Sequence, residues 1–275
     1  MRWRCGRFTL ALDRPLVMGI VNVTPDSFSD GGLHVAAGRA IAHAHKLIAD
    51  GADLVDVGGE STRPGADPVA ADVEIDRVLP VVTALASGDV PISVDTMKPE
   101  VMAAALGAGA SVVNDVNGFR ADGAADVVGG SDCGVVLMHM LGEPRTMQDA
   151  PRYGDVVADV AAFLAERVAR LEAAGVDTER IAVDPGIGFG KTLDHNLTLL
   201  EHLDALAPRG LPIVIGVSRK GFLGAITGRP VHERDAASIA AALHGVERGA
   251  RVLRVHDVRG TVDALAVWSR LRPSR

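Results

Sequence analysis

PISVDTMKPEVMAAALGAGASVVND, residues 91–115, reads as strand, helix, strand. A short apolar run ends at Asp95, Pro99 opens an Ala-rich stretch reaching Leu106, glycines close it, and a second run ends at Asp115. Proline is pre-organised for the first helical turn and glycine for the exit, so the middle of this segment is a helix and its flanks are strands. The unit repeats in both directions. LVMGIVNV up to Val23 and LVDVGG from Leu54 precede it; GVVLMH to His139, IAVD to Asp184, IVIGVS to Ser218 and RVLRVHD to Asp257 follow. Ala36 to Ala49, Asp72 to Leu85, Val156 to Ala174, His195 to Leu206, Asp235 to Glu247 and Val262 to Leu271 carry apolar residues at helical spacing. Roughly eight strand–helix units over 275 residues are the count of a (β/α)8 TIM barrel with long loops on one face. A doubly wound open sheet has the same alternation but usually fewer strands in this length. No Ser/Gly linker or charge block divides the chain, so residues 1–275 are expected to form one domain.

Composition agrees. Hydrophobic residues make up 48% and aromatic ones 3%, so the core must come from Val, Ile, Leu and Ala, which suits buried parallel strands under Ala-rich helices. A net charge of −7 argues against a nucleic-acid partner. No apolar run approaches the ~18 residues of a membrane span. The basic start at Arg2, Arg4 and Arg7 leads only to the short stretch Phe8 to Leu12, broken by Asp13 and Arg14, too short for a signal-peptide core. A cytoplasmic protein is expected. Cys5 and Cys133 lie in no CxxC and at no metal-ligand spacing, which argues against disulfide or zinc roles.

The strand ends carry the chemistry. Asn22, Asp95, Asn114, His139, Asp184, Ser218 and His256 all stand where an apolar run stops, and barrel active sites are assembled from those ends. Asn and Asp also start turns for local reasons, but several strands ending this way exceed that explanation. Arg254 and His256, one residue apart on a strand, share a face, and two basic groups there call for an anion between them. DPGIGFGKT, residues 184–192, fails as a phosphate loop, because Pro185 and Lys191 stand where the two phosphate-loop patterns need glycine. It reads instead as a tight strand exit that presents Phe189. Two long loops, NVTPDSFSDGG (22–32) and GGESTRPGADP (58–68), follow the first two barrel strands as lids or binding segments, with Phe28 on one and Thr62, Arg63 and Pro64 on the other. GVSRKG adds Ser218, Arg219 and Lys220 at the seventh exit. Carboxylates and amides suited to a heterocycle edge, beside cations suited to an anionic leaving group, indicate a barrel enzyme acting on a phosphorylated, nitrogen-rich small molecule. No Ser–His–Asp order and no carboxylate cluster for a two-metal hydrolase is present.

MGIVNVTPDSFSDGG from Met18, DVGGESTRPGA from Asp56, ISVDTMKPEV from Ile92, LMHMLGEPRTMQ from Leu137, DPGIGFGK from Asp184, GVSRKGFLG from Gly216 and RVHDV from Arg254 resemble the dihydropteroate synthases, in order, spacing and nearly full length. The resemblance, to the monofunctional bacterial form, implies that a dihydropterin-CH2 diphosphate and 4-aminobenzoate are joined with release of diphosphate. It implies that Asp95, Asn114, Asp184 and Lys220 hold the pterin and that Arg254, His256 and Asn22 receive the diphosphate, with Mg2+ near Asn22. It further implies that Thr62, Arg63, Pro64, Phe189, Ser218 and Arg219, with Pro25, Asp26 and Phe28, shape the aminobenzoate site. Asp95, Lys220, Arg254 and His256 would be catalytic. Sulfonamides are the implied inhibitors and a homodimer the implied assembly. Two other readings are a pterin-binding homologue lacking synthase activity, in which the lid motifs would have degenerated, and a pterin-dependent methyltransferase domain, which would not carry TPDSFSDGG or SRKG.

Overall fold

The computed structural model describes residues 1–23, 32–63 and 65–271. A hairpin opens the chain: β1 (Arg2–Cys5) pairs antiparallel with β2 (Phe8–Ala11). Eight parallel strands then close into a barrel: β3 (Leu16–Asn22), β4 (Leu54–Gly58), β5 (Ile92–Asp95), β6 (Val112–Asp115), β7 (Gly134–Met138), β8 (Ile181–Asp184), β9 (Ile213–Ile215) and β10 (Ala250–Val255). The strands pair in sequence order, and β10 closes the ring on β3. Helices α1 (Gly32–Ala49), α2 (Ala71–Leu85), α3 (Pro99–Gly107), α4 (Ala124–Gly129), α5 (Val156–Ala173), α6 (Leu193–Glu201), α7 (Gly221–Thr227), α8 (Asp235–Glu247) and α9 (Val258–Leu271) wrap it. Local signals set their ends. Asp155 caps α5 by accepting the N–H groups of Val157 and Ala158, and Thr192 and His195 form a reciprocal capping pair at α6.

The expected barrel is therefore present, with local differences. The helix expected to run from His195 to Leu206 ends at Glu201 and continues as a 3-10 turn over Leu203–Leu206. The run expected through Ser218 is a strand only to Ile215, because Gly216 begins the exit toward the site. The short α4 and α7 escape periodicity, having too few turns to show it.

Alternation along the strands sorts the core into two populations. Outward residues such as Val17, Val55, Val57, Val94, Val113, Val135 and Val183 pack beneath the helices. Met18, Leu54, Val112, Val136, Ala182, Val214 and Val252 fill the barrel floor together with Trp3, Cys5, Leu12 and Leu16. The hairpin thus plugs the lower end, where the wholly buried Trp3 donates its indole N–H to the Arg180 carbonyl at 2.9 Å. The stretch Phe8 to Leu12, read from sequence only as too short for a signal core, is part of that plug.

Candidate active site

Because strand side chains repeat every two residues, the floor fixes what stands above it. Two positions beyond Leu54, Val112, Ala182 and Val252 come Asp56, Asn114, Asp184 and Arg254. Parallel register also sets Asn22 beside Gly58, Gly58 beside Asp95 and Asp95 beside Asn114. A polar storey therefore sits on an apolar one. Arg254 donates from Nε to Asp56 Oδ2 and from Nη2 to Asp95 Oδ2, both at 2.6 Å, and Asn114 donates its amide to Asp56 Oδ2 at 3.1 Å. Asp95 Oδ1 is buried with no partner among the described residues. Burial pushes the Asp95 carboxyl up to about 7 against the pull of Arg254, with Asp56 adding to the rise. Asp184 is likewise raised by burial, opposed by Lys220 and by the Gly186 N–H, which donates to Oδ1 at 2.7 Å.

Above this storey opens a cavity of about 1000 Å³, whose wall includes Asn22, Thr62, Arg63, Asp95, Phe189, Ser218, Arg219, Lys220, Arg254 and His256. Asn114 and Asp184 are buried and lie outside that wall. Phe189 is delivered as expected. Gly186 and Gly190 have φ of +68° and +63°, and a Cβ on them would lie 1.8 Å from the His139 carbonyl and 2.5 Å from that of Leu141. Only glycine lets the exit fold this tightly. Lys220 stands 4.4 Å over the Phe189 ring and donates to the Ile187 carbonyl; burial lowers its pKa to about 8. Arg219, at φ +58°, forks onto Asp235 of α8 at 2.6 and 2.9 Å. Ser218 Oγ lies 2.9 Å from His256 Nδ1. Pro25, Asp26, Phe28 and Pro64 lie outside the described residues.

Two expectations are corrected. Arg254 and His256 need no bound anion to coexist: Asp56 and Asp95 already neutralise the guanidinium. Burial, followed by Arg219, Arg254 and Arg63, lowers His256 to about 4, leaving it neutral. His139 does not join Asn22, Asp95, Ser218 and His256 at the cavity. It is buried against Phe163, with Lys191 Nζ 2.9 Å from its Nδ1, and burial lowers its pKa to about 3. Asp56 was missed because it stands inside an apolar run rather than at its end. An aspartate two residues beyond a floor leucine was the available signal.

Among the described residues no cluster of three or more His, Cys, Asp or Glu could hold a metal. One oxygen donor on the cavity wall is the exposed Asn22 amide, which suits a cation that draws its other ligands from water and a substrate diphosphate.

Residues 18–256 match the family model described as pterin binding enzyme. The dihydropteroate synthase of Neisseria meningitidis serogroup C is 49% identical over 278 residues, covering 98% of this chain and 97% of that relative. Among solved structures, Burkholderia cenocepacia dihydropteroate synthase complexed with 7,8-dihydropteroate is 54% identical with a TM-score of 0.91, covering 98% of this chain and 96% of that one. The Xanthomonas albilineans dihydropteroate synthase with 4-aminobenzoic acid is 52% identical, TM-score 0.92, covering 99% of each chain. The Yersinia pestis dihydropteroate synthase in a sulfonamide drug complex is 44% identical, TM-score 0.94, covering 100% of each chain.

Proposed function

This chain belongs to the pterin-binding enzyme family, among the dihydropteroate synthases, and from that premise we propose how its residues divide the reaction. It joins (7,8-dihydropterin-6-yl)methyl diphosphate to 4-aminobenzoate, giving 7,8-dihydropteroate and diphosphate in folate biosynthesis. The observation that carries the assignment of roles is Asp95 Oδ1, a buried acceptor without a partner among the described residues, on a side chain that lines the cavity and that a heterocycle's N–H edge can satisfy.

In this reading Asp95, Asn114, Asp184 and Lys220 hold the pterin at the polar storey. As the C–O bond to diphosphate breaks, positive charge spreads over the pterin, and the carboxylates of Asp95 and Asp184 stabilise it. Arg254, His256 and Asn22 receive the departing diphosphate. Arg254 engages the two aspartates through Nε and Nη2 on a side chain that lines the cavity, and neutral His256 acts as a hydrogen-bond donor rather than a cation. Mg2+, held by Asn22 and diphosphate oxygens, would supply further charge neutralisation on the leaving group. Thr62, Arg63, Phe189, Ser218 and Arg219 frame the 4-aminobenzoate side, whose amine attacks the exposed methylene carbon. Pro64, Pro25, Asp26 and Phe28 belong to the same proposal. Sulfonamides would compete there.

The same reading includes a cytoplasmic homodimer. No helix among the described residues is long and apolar enough to cross a membrane. Exposed Leu193 and Leu197, one turn apart on α6, with Ile226 on the adjoining α7, offer an apolar strip for a second copy, which sedimentation would detect. Incubation with the pterin diphosphate and labelled 4-aminobenzoate tests the activity. Stoichiometric dihydropteroate and diphosphate are expected, and pterin binding without product would leave only a binding homologue.

A further inference from the structure

The loop Gly58–Pro68 is rich in Gly, Ser and Pro, yet it must present Thr62 and Arg63 at the cavity wall. Among the described residues its own bonds around the presented pair are local turns, Arg63 N–H to Ser61 Oγ at 3.4 Å and Ala66 N–H to the Arg63 carbonyl at 3.1 Å, so its placement over the cavity has to come from contacts with the rest of the fold. The base of the loop is pressed onto α2. Arg77 donates to the Gly59 carbonyl at 2.8 Å, and a Cβ on Gly59 would lie 2.9 Å from the Val78 side chain. The next residue, Glu60, is partly buried, its side chain only 8% exposed, and accepts the Val69 N–H at 3.1 Å, closing the loop across its neck. Glu60 also accepts from Lys98 Nζ, and the same ammonium donates to Oε2 of the wholly buried Glu74 at 2.6 Å.

Lys98 stands three residues beyond Asp95, in the turn between β5 and α3, with its backbone N–H held by Thr96 Oγ1 at 3.2 Å. It is absent from the described cavity wall, whereas Glu60 forms part of it. One ammonium thus ties three things together: the turn following Asp95, helix α2, and the loop two residues before Thr62. Burial pulls the Lys98 pKa down, but the bonds from Glu60 and Glu74 outweigh it, so the tie keeps its charge at neutral pH. A pair that only stabilised the helices would have no need of a carboxylate on the loop, since Glu74 alone would serve.

We propose that Lys98 is a positioning residue for the reaction, holding Thr62 and Arg63 through Glu60 in fixed relation to the turn after Asp95. The proposal rests on the functional reading above and names the element that assembles the 4-aminobenzoate side of the cavity against the pterin side.

Four variants test it. Lys98→Met leaves Glu74 buried without its cation, so it is accompanied by Lys98→Met/Glu74→Gln, which removes both charges, and by Glu60→Gln, which keeps the Lys98–Glu74 pair. The expected result is a 4-aminobenzoate KM raised ~10-fold, a kcat lowered less than ~3-fold and a pterin affinity within ~2-fold of wild type by calorimetry. Lys98→Arg should restore most of the KM. A structural role alone would lower the amount of active enzyme and the melting temperature and leave KM where it was. Amide hydrogen exchange over 60–69 in the ligand-free protein supplies a readout independent of activity: it should speed up ~10-fold in Lys98→Met/Glu74→Gln while β5 and α3 stay protected. If the wild type makes no dihydropteroate, the functional reading fails and the exchange measurement alone decides whether Lys98 holds the loop. If the wild type is active, an unmoved KM in the folded variants, equal losses of both substrates, or unchanged exchange would overturn the proposal.

Discussion

Asp95 meets three conditions at once: it is buried, it shares Arg254 with Asp56, and its second oxygen has no partner among the described residues. Desolvation favours the protonated acid, which is why its pKa rises to about 7 despite the guanidinium. The native state therefore holds a proton that the unfolded chain has lost between pH 4 and 7, and the contribution of Asp95 to stability falls as pH rises through that window. Ligand binding works in the opposite sense. A pterin edge donates hydrogen bonds and requires the ionised carboxylate, so binding should release a proton and tighten by up to ~10-fold per pH unit below 7, levelling above it. Calorimetry from pH 6 to 8 in two buffers measures this, and a flat profile would remove Asp95 from the pterin contact. Asp95→Asn keeps the size and loses the charge, so turnover should fall at least ~10²-fold, about 2.7 kcal/mol, with the circular dichroism of the wild type. Near-normal turnover would refute the charge role. Arg254→Ala should do more than weaken diphosphate binding. It strands two buried carboxylates, an expected cost of ~3–5 kcal/mol in urea unfolding.

At the scale of elements, the strand exits differ in what holds them. The Asp184–Lys191 exit is shaped by backbone contact. Gly190 approaches Leu141, its carbonyl accepts the Tyr153 hydroxyl at 2.7 Å, and Gln148 donates to the Gly188 carbonyl at 2.7 Å. Gly190→Ala should therefore cost ~1–3 kcal/mol through overpacking and raise the 4-aminobenzoate KM by displacing Phe189. A stable variant with unchanged KM would show that Phe189 is held independently. The N-terminal hairpin acts at the other end of the barrel. Trp3→Ala should cost ~3–5 kcal/mol in chemical denaturation, while the remaining folded enzyme keeps its kinetic constants, because the plug lies on the side away from the cavity. A loss of kcat in the folded protein would mean that the floor transmits strain to the polar storey. The hairpin illustrates why short elements are hard to read: four-residue strands show too few alternations, and Trp3 becomes informative only when the barrel stands above it.

On the scale of the whole molecule, the barrel brings a pterin side and an anion side into one cavity, so their ligands should be coupled. Pyrophosphate is expected to tighten pterin binding to the free enzyme, with the reciprocal effect on pyrophosphate affinity, and titrations with and without it would detect the coupling. Independent binding would place the anion elsewhere. The alternation of runs and Ala-rich stretches marked a parallel α/β fold, because parallel strands buried on both faces need continuous apolar sequence and each helix needs its own period, and the count of roughly eight units favoured the closed barrel over an open sheet with the same alternation. The strand ends bearing Asn22, Asp95, Asn114, Asp184, Ser218 and His256 were legible for the same reason, since the place where burial stops is marked in the chain. Tertiary structure alone decided the partners. Arg254 meets Asp56 across 198 residues of sequence, because the last strand closes on the first, and nothing local foretells that contact. It also separated His139 from the cavity and tied Lys98 to Glu60, because charge pairing depends on which loops stand beside one another once the ring is closed.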